Sequence, residues 1–182
     1  VAGKGGFAIN GQAAGDTAGN FVSAAGDING DGIGDLLIGS LRGNANAGTT
    51  VGVGYVVYGK TGTTSPIELG NLASSSAGFA IVGQSAGDYY GRDISSAGAP
   101  SATAFNGGPS VAYIVYGGKS MANVDAAAFT SSQGFTITGP VNNYFSNSVS
   151  GVGDVNGDGI SDMLLNSTVD KSAYVVYGST TN

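Results

Sequence analysis

The sequence predicts an all-β fold made of β-propeller blades of four antiparallel strands, about three blades in this chain. Three observations predict it. Segments ending in Tyr-Gly recur at near-constant spacing, short β-type runs fill each interval, and no stretch sustains a helical period.

The recurring ends are Tyr55-Val56-Val57-Tyr58-Gly59, Tyr113-Ile114-Val115-Tyr116-Gly117 and Tyr174-Val175-Val176-Tyr177-Gly178. Their last tyrosines, Tyr58, Tyr116 and Tyr177, are 58 and 61 residues apart. A second marker reads Gly6-Phe7-Ala8-Ile9, Gly78-Phe79-Ala80-Ile81 and Gly134-Phe135-Thr136-Ile137. A third pairs Gly11-Gln12-Ala13-Ala14-Gly15-Asp16 with Gly83-Gln84-Ser85-Ala86-Gly87-Asp88. These markers divide the chain into repeats of residues 6–77, 78–133 and 134–182.

From the first repeat to the start of the second four runs read as strands: residues 21–24, 35–38, 53–58 and 78–82. They are β-branched or aromatic and bounded by Gly, Asn, Asp and Ser. Residues 121–129 are Ala-rich and have room for one helical turn. Four short strands per repeat suit propeller blades; a β-sandwich or a β-solenoid is the alternative.

The 182 residues include 34 Gly but no Cys, His or Trp. Disulfides, thiolate chemistry and Ser–His or Cys–His catalysis are therefore excluded. Net charge is −6, which disfavours nucleic acid as a partner. No run approaches the roughly 20 apolar residues of a membrane span. The start, Val1-Ala2-Gly3-Lys4, carries no Met and no signal-peptide core, as expected of a mature product or an excised piece.

Half of the 12 carboxylates lie in two short loops. One is Asp27-Ile28-Asn29-Gly30-Asp31-Gly32-Ile33-Gly34-Asp35. The other is Asp154-Val155-Asn156-Gly157-Asp158-Gly159-Ile160-Ser161-Asp162. Both read D-x-N-G-D-G-I-x-D. Oxygen ligands at alternate positions let a tight turn converge on one hard cation. Asp27, Asn29, Asp31 and Asp35 offer side chains, and Ile33 its carbonyl. Asp154, Asn156, Asp158, Asp162 and the Ile160 carbonyl repeat the set. Gly32 and Gly159 sit at the sharpest point of the turn. Oxygen donors with loose geometry favour Ca²⁺ over Mg²⁺, and zinc lacks its usual ligands. Two Ca²⁺ ions are expected. An EF-hand is excluded because its bidentate Glu is replaced by Ile38 and Leu165. Asn-Gly and Asp-Gly also make turns without metal, but three aspartates in nine residues repel one another unless a cation is present.

Gly19-Asn20-Phe21-Val22-Ser23-Ala24-Ala25-Gly26, the acidic loop, Asp35-Leu36-Leu37-Ile38-Gly39-Ser40 and then Gly54–Gly59 resemble the FG-GAP repeat of the integrin alpha-chain propeller and of bacterial surface proteins. In the third repeat, residues 146–153, the second loop and residues 162–166 and 173–178 resemble it too, although Asn147 and Ser148 stand where the family often has Gly and Ser. The resemblance implies a β-propeller with structural calcium between the first two strands of a blade. It implies a secreted, extracellular or cell-surface protein, and the D-x-N-G-D-G wording points to bacteria. The middle repeat departs from the pattern. Gly91-Arg92-Asp93-Ile94-Ser95-Ser96-Ala97-Gly98 suits a first strand, but residues 99–108 contain no acidic ligand, and no calcium is expected there.

If each blade ends with a Gly-Phe strand, residues 78–82 complete the first and residues 134–138 the second. The third has none after Tyr177, while residues 6–10 are spare at the other terminus. Either the chain is part of a longer one, or these residues complete a second copy's third blade, giving a homo-oligomer or a fibre.

The expected function is a noncatalytic calcium-binding adhesion or structural module. A carbohydrate-binding propeller and an accessory domain of a secreted hydrolase are the alternatives. The ligand, protein or glycan, is not named by the sequence. Tyr89, Tyr90, Tyr144 and Phe145 either form a binding rim or pack between blades. The sequon Asn166-Ser167-Thr168 follows a strand that reads as buried, and Gly91-Arg92-Asp93 reads as part of a strand rather than as an adhesive tripeptide.

Overall fold

A computed structural model describes residues 5–43, 51–62, 65–85, 90–97, 102–106, 111–119, 121–139, 145–168 and 170–179. It is mostly β-sheet. In chain order the strands are β1 (Ile9–Asn10), β2 (Phe21–Gly26), β3 (Asp35–Ser40), β4 (Val53–Val57), β5 (Ile67–Glu68), β6 (Gly78–Val82) and β7 (Ile94–Ser96). They continue with β8 (Ala102–Asn106), β9 (Val111–Tyr116), β10 (Val124–Asp125), β11 (Gly134–Thr138), β12 (Phe145–Gly153), β13 (Asp162–Ser167) and β14 (Ser172–Val176).

The three larger sheets are antiparallel meanders that take three strands from one repeat and, in the first two, a fourth from the start of the next. The first gives β2, β3, β4 and β6 side by side, with β10 added parallel to the outer edge of β6. The second gives β7, β8, β9 and β11. The third gives β12, β13 and β14. A two-stranded parallel pair, β1 with β5, forms a sheet of its own, and among the described residues no sheet closes on itself.

The four strand segments read from the first repeat and the start of the second all form, because their β-branched and aromatic side chains fill apolar space on the sheet. Tyr55, Val56 and Val57 in β4 are essentially inaccessible to solvent. Two ends move outward, to Gly26 and Ser40, and one moves inward, since Tyr58 lies beyond β4.

Other details differ from expectation. The first strand of the middle repeat shrinks to Ile94–Ser96. Gly91 turns the chain at φ +75°, so Arg92 and Asp93 precede the strand instead of lying in it. Asp93 is structural nonetheless, since its carboxylate accepts a bond from the Val149 N–H at 3.1 Å. Residues 121–129 hold the allowed helical turn as a 3-10 turn at Ala126–Ala128. A second helical piece was not anticipated: a 3-10 turn at Leu69–Asn71 runs into the one-turn helix α1 (Leu72–Ser75). It buries Leu69 and Leu72 against the first sheet.

Two cores lie between successive repeats. Ile28, Val56 and Tyr58 of the first repeat pack with Phe79, Tyr90, Ile94, Tyr113 and Val115 of the second. Ala112 and Ile114 of the second pack with Phe145, Val149, Met163 and Leu165 of the third. The first strands of the three repeats are neighbours: β7 lies against β2 on one side and β12 on the other. The Gly151 N–H donates to Ser95 Oγ at 3.2 Å across the second contact.

Tyr90 and Phe145 are buried in these cores, so they pack between repeats and do not form a rim. Tyr89 and Tyr144 lie outside the described residues. Asn166 sits in β13 and accepts a bond from the Ser148 N–H at 2.7 Å, so the sequon is part of the sheet. No helix among the described residues is long and apolar enough to cross a membrane.

Candidate metal centres

Each acidic loop joins the first strand of its repeat to the second, β2 to β3 and β12 to β13. The backbone must reverse within nine residues. Glycine at the sixth position makes this possible, with φ +85° at Gly32 and +86° at Gly159, where a Cβ is strained.

The two loops fold into the same hydrogen-bond network. Asp27 Oδ1 accepts from the N–H groups of Gly30 (2.7 Å) and Asp31 (3.0 Å), and its Oδ2 accepts from Gly32 (2.8 Å). Asp154 does the same with Gly157 (2.6 Å), Asp158 (3.1 Å) and Gly159 (2.7 Å). Asn29 Oδ1 accepts from the Asp31 N–H while its amide donates to Asp31 Oδ2, both at 2.9 Å. Asn156 and Asp158 repeat this pair. The N–H groups of Ile33 and Ile160 donate to Asp31 Oδ1 and Asp158 Oδ1 at 2.7 and 2.8 Å.

The ninth-position aspartates act differently, because they are buried where the others are not. Asp35 Oδ2 accepts from the Ile28 N–H at 2.7 Å, and Oδ1 from the Gly59 N–H at 2.7 Å. Asp162 binds Val155 and Gly178 in the same way, at 2.8 and 2.9 Å. One carboxylate thus ties the loop to the end of the third strand. This explains why the Tyr-Val-Val-Tyr motif ends in glycine. A Cβ on Gly59 would stand 2.3 Å from the Gly34 carbonyl oxygen, and one on Gly178 would stand 2.4 Å from that of Ser161. The sequence did not reveal this tie. The Tyr-Gly end is no signal for it, since Tyr116-Gly117 closes the middle repeat, which has no acidic loop.

The electrostatics are strained in one loop and eased in the other. Burial pushes the Asp35 carboxyl above its ordinary value, bonds from Gly59, Ile28 and Asn29 oppose this, and the Asp31 charge adds to it. Asp154 is held below its ordinary value, chiefly by the bond from Gly159.

No family model matches the chain. No curated protein matches it either.

The side chains fit a hard cation by chemistry: each loop gathers three carboxylates and an amide oxygen. Among the described residues no group of three or more carboxylate, His or Cys side chains converges on one point. The carboxylates turn instead onto the loop's own N–H groups: Asp27 Oδ1 and Asp154 Oδ1 each accept two bonds, whereas their Oδ2 atoms accept one each and retain a lone pair for a further partner. Beyond position 9 the chain enters β3 or β13, with Ile38 and Leu165 buried at position 12, so neither loop has the exit helix of an EF-hand. The middle repeat joins β7 to β8 through residues 97–101, which carry no carboxylate.

The GQAAGD marker has a local role as well. Asp16 is buried and accepts from the N–H groups of Gln12, Ala13 and Ala18 at 2.7, 3.1 and 2.9 Å. Its counterpart Asp88 lies outside the described residues. Beside the first acidic loop is a cleft of about 640 Å³, lined by Asn29, Asp31, Tyr58, Lys60, Glu68 and Asn71 among others.

Proposed function

We propose that this chain is a noncatalytic, calcium-binding extracellular module of propeller type, FG-GAP-like, serving adhesion or structure at a bacterial cell surface. The observation that carries the reading is the twin network: two loops in different repeats fix the same oxygens on the same N–H groups. Asp27, Asn29, Asp31, Asp35 and the Ile33 carbonyl would hold one ion. Asp154, Asn156, Asp158, Asp162 and the Ile160 carbonyl would hold the other. Bound calcium offsets the charge that the carboxylates gather and stiffens the turn. The meander built on each repeat, with first strands side by side, supports the blade arrangement. The lack of His and Cys supports a noncatalytic role.

Calorimetric titration with Ca²⁺ tests the metal reading. Two ions per chain are expected, falling to one in Asp31→Asn and to one in Asp158→Asn. Absence of binding heat, together with a melting temperature indifferent to chelator, would overturn it.

The cleft beside Asp31 favours glycan binding as a second reading, since amide, carboxylate and amine groups line it beside a tyrosine. A glycan array probed with the wild-type chain and with Asn71→Ala checks it. Loss of a specific signal in the variant supports the reading, and an array without signal rejects it.

A further inference from the structure

We propose that the free edge of β14 is a docking site for Gly6–Asn10 of a second copy of this chain, added as an antiparallel strand. The inference rests on the register of the repeats, not on calcium.

In the first sheet the fourth strand pairs Val57 with Gly78, Val56 with Phe79 and Tyr55 with Ala80. In the second it pairs Val115 with Gly134, Ile114 with Phe135 and Tyr113 with Thr136. The third sheet has no such strand among the described residues. Tyr174, Val175 and Tyr177 are 39%, 46% and 61% exposed, where Tyr55, Val56 and Tyr58 are 1%, 0% and 8%, because among the described residues neither a fourth strand nor a following repeat covers them. An apolar strand edge of this kind invites pairing.

The complementary piece is β1 with the residues before it. Its parallel contact with β5, Ile9 opposite Ile67, matches that of β6 with β10, Ile81 opposite Val124. β1 is therefore seated like a fourth strand. Yet its other edge, which in β6 faces β4, faces no strand among the described residues.

Gly6 supplies the sharper argument. A Cβ on Gly78 would stand 2.0 Å from the Val56 carbonyl oxygen, and one on Gly134 1.8 Å from that of Ile114. Fourth strands must begin with glycine because the third strand's backbone lies that close. A Cβ on Gly6 meets nothing within 4 Å, and Gly6 is not among the positive-φ glycines. Nothing among the described residues of one copy requires glycine there; pairing with β14 does. The register follows: Gly6 opposite Val176, Phe7 opposite Val175, Ala8 opposite Tyr174 and Ile9 opposite Ala173. The Tyr58 and Tyr116 N–H groups donate to Ala77 and Gln133 at 2.8 and 2.9 Å, so the Tyr177 N–H donates to the Gly5 carbonyl of the second copy. The assembly proposed is the smallest closed one, two copies that each give and receive one strand.

Sedimentation equilibrium of the 182-residue chain, from micromolar to millimolar concentration, tests this. Reversible association to twice the 17.7 kDa mass is expected. Gly6→Val should weaken it by at least about 100-fold while leaving the melting temperature of the single copy unchanged. Val175→Lys should weaken it from the other side. Mixing the two variants should restore a complex, because each retains the edge that the other lacks. A synthetic peptide of residues 5–12 should compete with the wild-type association. A chain that stays monomeric, or association that Gly6→Val leaves intact, overturns the proposal. Peptide bound by a chain that never associates also overturns it, assigning the edge to a strand from elsewhere.

Discussion

The two acidic loops share a sequence pattern and a hydrogen-bond network but not an environment. Ile28, second in the first loop, is 2% exposed and belongs to the core shared with the middle repeat. Val155, its counterpart, is 53% exposed. Asn29 is buried, whereas Asn156 is exposed. The difference separates two causes. The network depends only on residues within the loop and on one glycine at the end of the third strand, so it forms twice. Burial depends on a following repeat packed over the loop, which only the first loop has among the described residues.

The largest expected effect breaks that comparison at its second position. Ile28→Ala should destabilise the fold by about 2–5 kcal/mol, and Val155→Ala by no more than about 0.5 kcal/mol, as read by urea denaturation. Calcium comes next. If both loops bind it, chelation removes about 2.7 kcal/mol per site when free calcium stood at about 100 times the dissociation constant. A calorimetric melt, repeated in Asp31→Asn and Asp158→Asn, assigns the share of each loop. The tie between loop and strand should then behave alike in both. Gly59→Ala and Gly178→Ala each force a Cβ into a backbone carbonyl and should each cost about 1–3 kcal/mol, seen as similar drops in melting temperature. Unequal drops would show that burial, not the tie, sets the cost.

The smallest effect is in pH, and the loops should differ in sign. In chelated protein the raised Asp35 favours the folded state when protonated. Its contribution is complete below the unfolded value of 3.8 and is lost as pH rises through the higher folded value. The lowered Asp154 contributes above 3.8 and loses that contribution as pH falls through its depressed value. Urea denaturation of chelated protein, followed from neutral pH downward, should show stability gained as Asp35 protonates and lost at lower pH as Asp154 protonates.

Much of this was legible in the sequence for a physical reason. Strand runs such as residues 78–82 are recognisable from β-branched and aromatic content between glycines, and the acidic loops from local chemistry. The two-residue strands β5 and β10 were not, because so short a pairing has no period, and of the strand expected at residues 6–10 only Ile9–Asn10 is paired. The helical turn at residues 69–75 was equally silent, since one turn needs only two leucines to find a surface. The carboxylate ties escaped for a different cause. Asp35 and Gly59 are 24 residues apart, and nothing in either segment names the other. Gly91-Arg92-Asp93 was misplaced by a few residues because strand ends depend on partners, and β7 keeps only three residues.

The Asp35–Gly59 and Asp162–Gly178 ties bear on how such a chain can grow by gene duplication. A copied segment whose boundary falls between the loop and its glycine delivers an aspartate with no anchor, and an anchor with no aspartate. Residues 61, 62, 65 and 66, just beyond Gly59, are exposed and lie outside both partners of the tie. Recombination there moves loop and glycine together as one heritable cassette, so the seams of an expanding array should collect after the Tyr-Gly ends.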